Sequence, residues 1–303
     1  MVIPPSGYGA VEILIWHYKV YLERIGHTVT LINENIDDVL SVIGDRVFDV
    51  VHICWPTYFK LFEHINCHVK LCNIHCGDLY TMNECEFDVE SWKKWGCYVE
   101  CLSPYVKEFF LKHGYPEDKL LLTKNGIPKD TIAFREKPLF PKAICLATLD
   151  NRKRQYLIEN MPRVDCVGPV YIHRSDKINT QAWNYLGEWK KKDVQDYLTT
   201  YSSMVLLSES EADPLSVKEG LMAGLGLILS ENASQNLDIN KPFIDVIPES
   251  KISDRNYVQQ TILFNIRKSV PLRTEIRQYA IENFEFQGVI DRYIENLWKT
   301  GMC

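Results

Sequence analysis

The stretch Met204-Val205-Leu206-Leu207-Ser208-Glu209-Ser210-Glu211-Ala212-Asp213-Pro214-Leu215-Ser216-Val217-Lys218-Glu219-Gly220 decides the fold. Its first four residues are an apolar run of the length of a strand buried on both faces of a parallel sheet. A polar loop follows, and Asp213-Pro214 then signals a helix start. An aspartate carboxylate accepts from the free amides of a first turn, and proline fits the first helical position because its missing N–H has no helical partner there. The spacing therefore predicts a helix from about Pro214, with Glu211 before it and Glu219 inside it. The unpaired amides of Leu215 and Ser216, with the positive end of the helix dipole, form an anion site. It lies at the carboxyl end of a strand, where open α/β sheets bind ligands.

This segment resembles the retaining GT-B glycosyltransferases of the family-4 type, whose donor domain carries a Glu-x7-Glu motif in the pattern "SxxEGFPLSxLEAMAxGxPVVxS". Here the pattern runs from Ser208 to Ser230, with Glu211 and Glu219 at the motif positions and Ala223-Gly224 ahead of the strand Leu227 to Ser230. The resemblance implies that Glu219 binds the ribose hydroxyls, that Glu211 contacts the transferred sugar, and that the amides after Pro214 hold the diphosphate. Read without it, both acids are solvated residues flanking a helix.

A second glycine-rich loop, Pro4-Pro5-Ser6-Gly7-Tyr8-Gly9-Ala10-Val11-Glu12, lies near the other end. Its glycines allow close backbone approach, and a helix follows with Val11, Leu14, Ile15, Tyr18, Leu22 and Ile25 at helical spacing and Gly26 as its cap. Val29 to Ile32 reads as the next strand. The loop lacks the third glycine of the dinucleotide fingerprint, which argues against a dehydrogenase. It is similar to the family's "PPxGYGGxE" loop, which implies that Gly7 and Gly9 face the donor phosphates and the acceptor. Only Met1-Val2-Ile3 precede Pro4, so the strand expected before the loop is very short or partly absent.

Between the ends, strands and helices alternate, which predicts an α/β architecture with parallel sheets. Strands are expected at Phe48 to Ile53, His68 to His75, Cys97 to Leu102, Leu120 to Thr123 and Ala143 to Ala147, with a helix over Tyr105 to His113. His75 ends its strand in the form "vxxxHg/d", and the resemblance implies that it reaches the donor sugar; His52, in "DVVH", supports the site. Lys124-Asn125-Gly126-Ile127-Pro128 resembles the segment where the family's first domain ends, and Pro128, Pro138 and Pro141 suit a linker. Three parts are expected. Residues 1–136 form an acceptor-side Rossmann-like domain and 137–280 a donor-binding one, with 281–303 a C-terminal helix crossing back to the first. In GT-B folds the two domains face each other across a cleft that closes on the donor.

After the strand at Ala143 come Thr148-Leu149-Asp150-Asn151-Arg152-Lys153-Arg154, a basic cluster at a strand end. The family pattern "GRLxxxKG" places Lys153 on its phosphate-clamping lysine. Thr148 stands where the arginine is usual, and Arg152, whose guanidinium binds phosphate as a fork, is the expected substitute. Leu186-Gly187-Glu188-Trp189 is similar to the segment near which family members hold the base through backbone groups.

The 303 residues exceed the size at which one core keeps growing. A net charge of −6 and a pI near 5.8 argue against a general nucleic-acid binder. No apolar stretch approaches the roughly 20 residues of a membrane span, which leaves peripheral membrane contact open. Ten cysteines include Cys67, Cys72, Cys76, Cys85, Cys97 and Cys101, interleaved with His64, His68 and His75. Without a Cys-x2-Cys pair a zinc site is disfavoured, and free thiols buried in a reducing, cytoplasmic compartment are expected.

The resemblance implies transfer of a sugar, with retention, from a UDP- or GDP-sugar to a glycan or other hydroxyl acceptor, with neither cofactor nor required metal. Glu211, His75 and Lys153 would be the catalytic set. Glu219, Arg152, Lys153, Pro214, Leu215, Ser216, Gly7 and Gly9 would bind the donor. Two alternatives stand beside it: a non-catalytic nucleotide-sugar binding module, and a glycosyltransferase acting on a nucleic-acid base.

Overall fold

The computed structural model describes residues 3–5, 9–75, 77, 89–171 and 175–301. Gly7, Cys76 and Cys85 lie outside the described residues. The chain divides into two compact units, one built from residues 9–125 with 287–303 and the other from 126–286.

The first unit is built on the parallel sheet β1 (Phe48–Ile53), β2 (Cys67–Asn73), β3 (Tyr98–Cys101) and β4 (Leu120–Leu122), ordered β1-β2-β3-β4. Helices α1 (Ala10–Arg24), α2 (Ile36–Ile43), α3 (Val89–Trp95) and α4 (Pro104–Lys112) fill the sequence before and between the strands, and α9 (Phe286–Lys299) returns to this unit from the far end of the chain. The start of α4 follows from its residues: Ser103 Oγ accepts from Val106 N at 3.4 Å and Pro104 takes the first turn. Gly26, at φ 98°, ends α1 as its spacing predicts, in a conformation open to glycine. Alternate residues of the strands, Val50, Val69, Leu71, Tyr98 and Leu121, pack beneath Tyr18 and Leu22 of α1 and Tyr293, Ile294 and Leu297 of α9. Each such side chain contributes about 1.5–3 kcal/mol on burial, so α9 is a structural member of this unit.

The strand expected at Val29 to Ile32 is absent; residues 27–32 carry no ladder. A strand needs a partner for its backbone groups. No strand among the described residues precedes α1 to supply one, and Val29 O instead accepts from Lys19 Nζ at 3.0 Å.

The second unit is a parallel sheet ordered β6-β5-β7-β8-β9, made of β5 (Ala143–Leu146), β6 (Val164–Val167), β7 (Ser203–Leu206), β8 (Gly226–Ser230) and β9 (Ile244–Ile247). Helices α5 (Lys191–Tyr197), α6 (Leu215–Met222), α7 (Arg255–Ser269) and α8 (Arg273–Phe284) complete it. From β5 the chain steps outward to β6 and then back past it to β7, so the strand order reverses between β5 and β7. Crevices at such reversals, at the carboxyl ends of the strands, are where open α/β sheets hold ligands. Arg273, 1% exposed, ties the unit together by donating to Arg135 O, Tyr201 O, Thr199 O and Ala223 O at 2.7 to 3.1 Å.

Each unit buries cysteines without pairing them: Cys72, Cys97, Cys101, Cys145 and Cys166 are free and buried. Among the described residues, no three His, Cys, Asp or Glu side chains gather as a metal site. No helix among them is long and apolar enough to cross a membrane.

Ionisable groups inside the first unit set its response to pH. Burial pushes Glu100, fully enclosed on β3, up to about 8, against a weaker opposing bond from Asn73. Burial, with His75 nearby, holds His52 at about 3, and burial holds His75 at about 4. Glu100 keeps its proton where the unfolded chain has lost it, so its contribution is complete below about pH 4.5 and is lost as pH rises towards 8. The histidines act oppositely, contributing above about pH 6.5 and losing that contribution as pH falls. Stability is therefore expected to peak near pH 6.5 and to fall by on the order of 1–2 kcal/mol by pH 8. In Glu100→Gln, denaturant unfolding at a series of pH values should show this alkaline fall removed; parallel curves for variant and parent would refute the assignment.

Candidate functional site

At the carboxyl end of β5 the chain makes a basic turn that its own sequence fixes. Asp150 accepts from Arg152 N at 2.6 Å, and Gln155 closes the other side by donating to Thr148 O at 2.9 Å. At the carboxyl end of the adjacent β7, the loop 207–214 meets this turn. Glu209 N donates to Arg152 O at 2.8 Å, and Arg152 Nη1 donates to Ser210 O at 2.7 Å. Lys153 Nζ pairs with Glu211 Oε1, and Arg154 reaches Glu209 at 3.2 Å and Glu249 at 2.9 Å. Two strand ends on either side of the reversal are thus joined by backbone bonds and by charge.

Helix α6 begins immediately after this loop. Pro214 is its N-cap and Leu215 its first residue, one position later than the sequence predicts, so the proline precedes the helix instead of opening it. Asp213 is also placed differently from the expected cap: its carboxylate pairs with Lys218 Nζ, and both side chains are fully enclosed. Glu219, one residue on, receives Lys191 Nζ of α5 at 2.5 Å. Every α6 residue except Ser216 is buried, and a Cβ on Gly220 would stand 2.9 Å from Met204 Sδ, so glycine is required for α6 to lie this close to β7.

Charge balance governs this cluster. Burial alone would raise Glu211, but the Lys153 and Arg152 cations outweigh it and hold its carboxyl below the ordinary carboxylate value. Burial pulls Lys218 below the ordinary lysine value, while Asp213 opposes that shift. The result is a preorganised set of carboxylates and cations around the first amides of α6, of which Ser216 retains surface exposure. Such a set can hold an anion between Lys153 and the helix start and can bind hydroxyls through Glu211 and Glu219.

Of the residues the sequence singles out, Arg152, Lys153, Glu211, Pro214, Leu215, Ser216 and Glu219 come together here. His75, just beyond β2, and Gly9, the N-cap of α1, belong to the other unit. Gly9 sits at φ 139°, and a Cβ there would stand 2.8 Å from Glu12 Oε2, so the position favours glycine. Lys191, Lys218 and the pairing of Asp213 with Lys218 are not marked by the motif spacing. A signal for the last two existed: the motif pattern has Phe and Leu where this chain has Asp213 and Lys218, a paired exchange of two apolar residues for opposite charges. Lys191 sits in the run Lys190-Lys191-Lys192, where nothing in the sequence marks one lysine above its neighbours.

Comparison with known proteins places the fold. No family model matches the chain, and no curated protein matches it in sequence. Among solved structures, sucrose-phosphate synthase from Thermosynechococcus elongatus is 12% identical with a TM-score of 0.75, covering 96% of this chain and 94% of that one. HepE of Anabaena, in complex with UDP and glucose, is 12% identical with a TM-score of 0.68 over 92% and 88%. WaaG, a glycosyltransferase of lipopolysaccharide biosynthesis, is 13% identical with a TM-score of 0.64 over 97% of both. These neighbours are GT-B glycosyltransferases, and the present chain has that architecture.

The enclosed Asp213–Lys218 pair yields a direct expectation. Lys218→Met strands a buried carboxylate and should cost about 3–5 kcal/mol in denaturant unfolding, whereas Asp213→Asn with Lys218→Met should recover most of it. Equal losses in the single and double variants would show that the pair is not the source of the effect.

Proposed function

We propose that this protein transfers a sugar from a nucleotide diphospho-sugar to a hydroxyl acceptor with retention of configuration, with no required metal. The observation that carries the reading is the Lys153–Glu211 pair joining two strand ends at the reversal of a parallel sheet, directly ahead of the α6 amides. The complexes of HepE with UDP and with UDP-glucose support a uridine donor. A reducing, cytoplasmic setting is proposed with it, on the strength of the buried free thiols.

In this reading the donor diphosphate lies against the amides of Leu215 and Ser216, with Arg152 and Lys153 beside it. The phosphate then competes with Glu211 for the Lys153 ammonium. Donor entry loosens that ion pair and frees the Glu211 carboxylate for the sugar hydroxyls. As the bond from the anomeric carbon to the phosphate oxygen breaks, negative charge grows on the departing diphosphate, and fixed cations and amides stabilise it without reorganising. Glu219 accepts from the ribose hydroxyls, and Lys191, 2.5 Å from it, aims that carboxylate. No side chain is assigned as base; the leaving phosphate oxygen takes the acceptor proton. A non-catalytic nucleotide-sugar module is the second reading, favoured by Thr148 standing where the family pattern has arginine.

A thermal-shift series with UDP-, GDP-, ADP- and dTDP-sugars tests the donor, because a ligand bound only by the folded state raises its stability. One member of the series should raise Tm, and Glu219→Ala should weaken its binding at least about tenfold, or about 1.4 kcal/mol, with the fold kept. Lys153→Ala should lower kcat by roughly 100-fold, and, by removing the partner of the buried Glu211, should also lower Tm, less than Lys218→Met does because Arg152 remains beside that carboxylate. No shift with any donor in the parent would refute the nucleotide-sugar site; full donor binding without turnover would favour the second reading.

A further inference from the structure

Arg154 takes no part in the proposed donor contacts, and its backbone conformation is costly. It lies between two short 3₁₀ turns, Asn151–Lys153 and Gln155–Leu157, at φ 56° and ψ 31°. This left-handed conformation crowds the Cβ of any side chain and costs glycine nothing. The pattern "GRLxxxKG" has glycine at this position, directly after its lysine. An arginine held there needs a compensating use, and its guanidinium shows one. Arg154 Nε donates to Glu209 Oε1 at 3.2 Å, and Nη1 donates to both Glu249 oxygens at 3.2 and 2.9 Å. Glu209 follows β7, Glu249 follows β9 and Arg154 itself follows β5, so one side chain ties the segments after three strands. Asn232, after β8, joins them by donating to Glu209 O at 2.6 Å.

Stability does not account for the arrangement. Glu209 and Glu249 keep 49% and 38% exposure, and ion pairs to carboxylates open to solvent contribute little. What the guanidinium supplies is direction. It is 13% exposed and a planar fork, whereas a lysine ammonium on its flexible stem pairs from many angles. Arg154–Glu209 and Lys153–Glu211 are successive cross-links between the same two segments, the turn after β5 and the loop after β7. An anion bound at the start of α6 competes for Lys153, and Glu211 then loses that cation. The loop keeps its place through the Arg154 fork, together with Glu209 N to Arg152 O at 2.8 Å and Arg152 Nη1 to Ser210 O at 2.7 Å. Both of those bonds start in the turn that Arg154 anchors.

We propose that Arg154 is a positioning residue. Its bonds to Glu209 and Glu249 hold the loop after β7 on the turn after β5, so that Lys153 can turn from Glu211 to an anionic ligand while the loop carrying Glu211 stays in place. The anionic ligand is the donor diphosphate, so the proposal rests on the transferase reading above.

Titration calorimetry with UDP, GDP, ADP and dTDP, the tightest of them carried to the variants, tests the assignment together with hydrogen exchange of the unliganded protein. Arg154→Gly should weaken that nucleotide about tenfold or more and speed amide exchange in peptides covering 207–214 about fivefold or more. Its Tm should stay within a few degrees of the parent's, because glycine suits the left-handed turn and the lost pairs face solvent. Arg154→Lys, which keeps the charge and loses the fork, should fall between the two. Acting through Lys153, Arg154→Gly should cost about twofold or less in affinity once Lys153→Ala is present. Losses that add in full in the double variant mark Arg154 as framework only and overturn the proposal. Unchanged exchange, or equal affinity in parent and Arg154→Gly, overturns it alone and leaves the donor site intact. Absence of binding by all four nucleotides in the parent overturns it together with the donor site.

Discussion

A helix with almost no solvent face organises the second unit. Seven of the eight α6 residues are buried, and among them are a lysine and a glutamate. Charges in the interior are tolerated only when paired and bonded, so each draws a partner from another segment: Asp213 from the preceding loop, Lys191 from α5. Those partners in turn fix the loop and the neighbouring helix against β7. The same demand acts one step outward, where Glu211 is held ionised by the turn after β5. Positions of the groups best suited to a phosphate ligand are therefore consequences of satisfying buried charge, and the site exists before any ligand arrives.

The two units solve the problem of interior carboxylates in opposite ways. In the second, Glu211, Asp213 and Glu219 each have an ammonium beside them, and Glu211 is held below the ordinary carboxylate value. In the first, Glu100 has an amide and an imidazole at long range and stays protonated. The former arrangement suits work on charged groups. That contrast follows from which residues lie opposite each carboxylate, since both acids sit near carboxyl ends of parallel strands.

Much of this was legible in the chain itself. The apolar runs at Met204 and Leu227, the cap signal at Ser103 and the glycine after α1 each carry a local cause, and the elements follow with boundaries shifted by a residue or two. Glu211 and Glu219 could be placed from spacing because one precedes the helix and the other rides on it. Ion-pair partners could not, since Lys191 and Glu219 are 28 residues apart and meet only through tertiary packing. Val29 to Ile32 has the composition of a strand and forms none, because strand propensity is a property of a segment, whereas a ladder requires a neighbour. Glu100 lies inside an apolar strand, where a single polar residue gives no hint that Asn73 stands opposite it on the adjoining strand.

The position of α9 has a consequence for biosynthesis. Val69, Leu71 and Leu121 are covered by Tyr293 and Leu297, which are translated more than 170 residues after Leu121. The second unit is one continuous stretch from 126 to 286, so it can close its core while still tethered to the ribosome. The unit made first must wait with its apolar sheet only partly covered, by Tyr18 and Leu22 of α1, until the helix that completes the seal emerges. The usual vectorial order is thereby inverted.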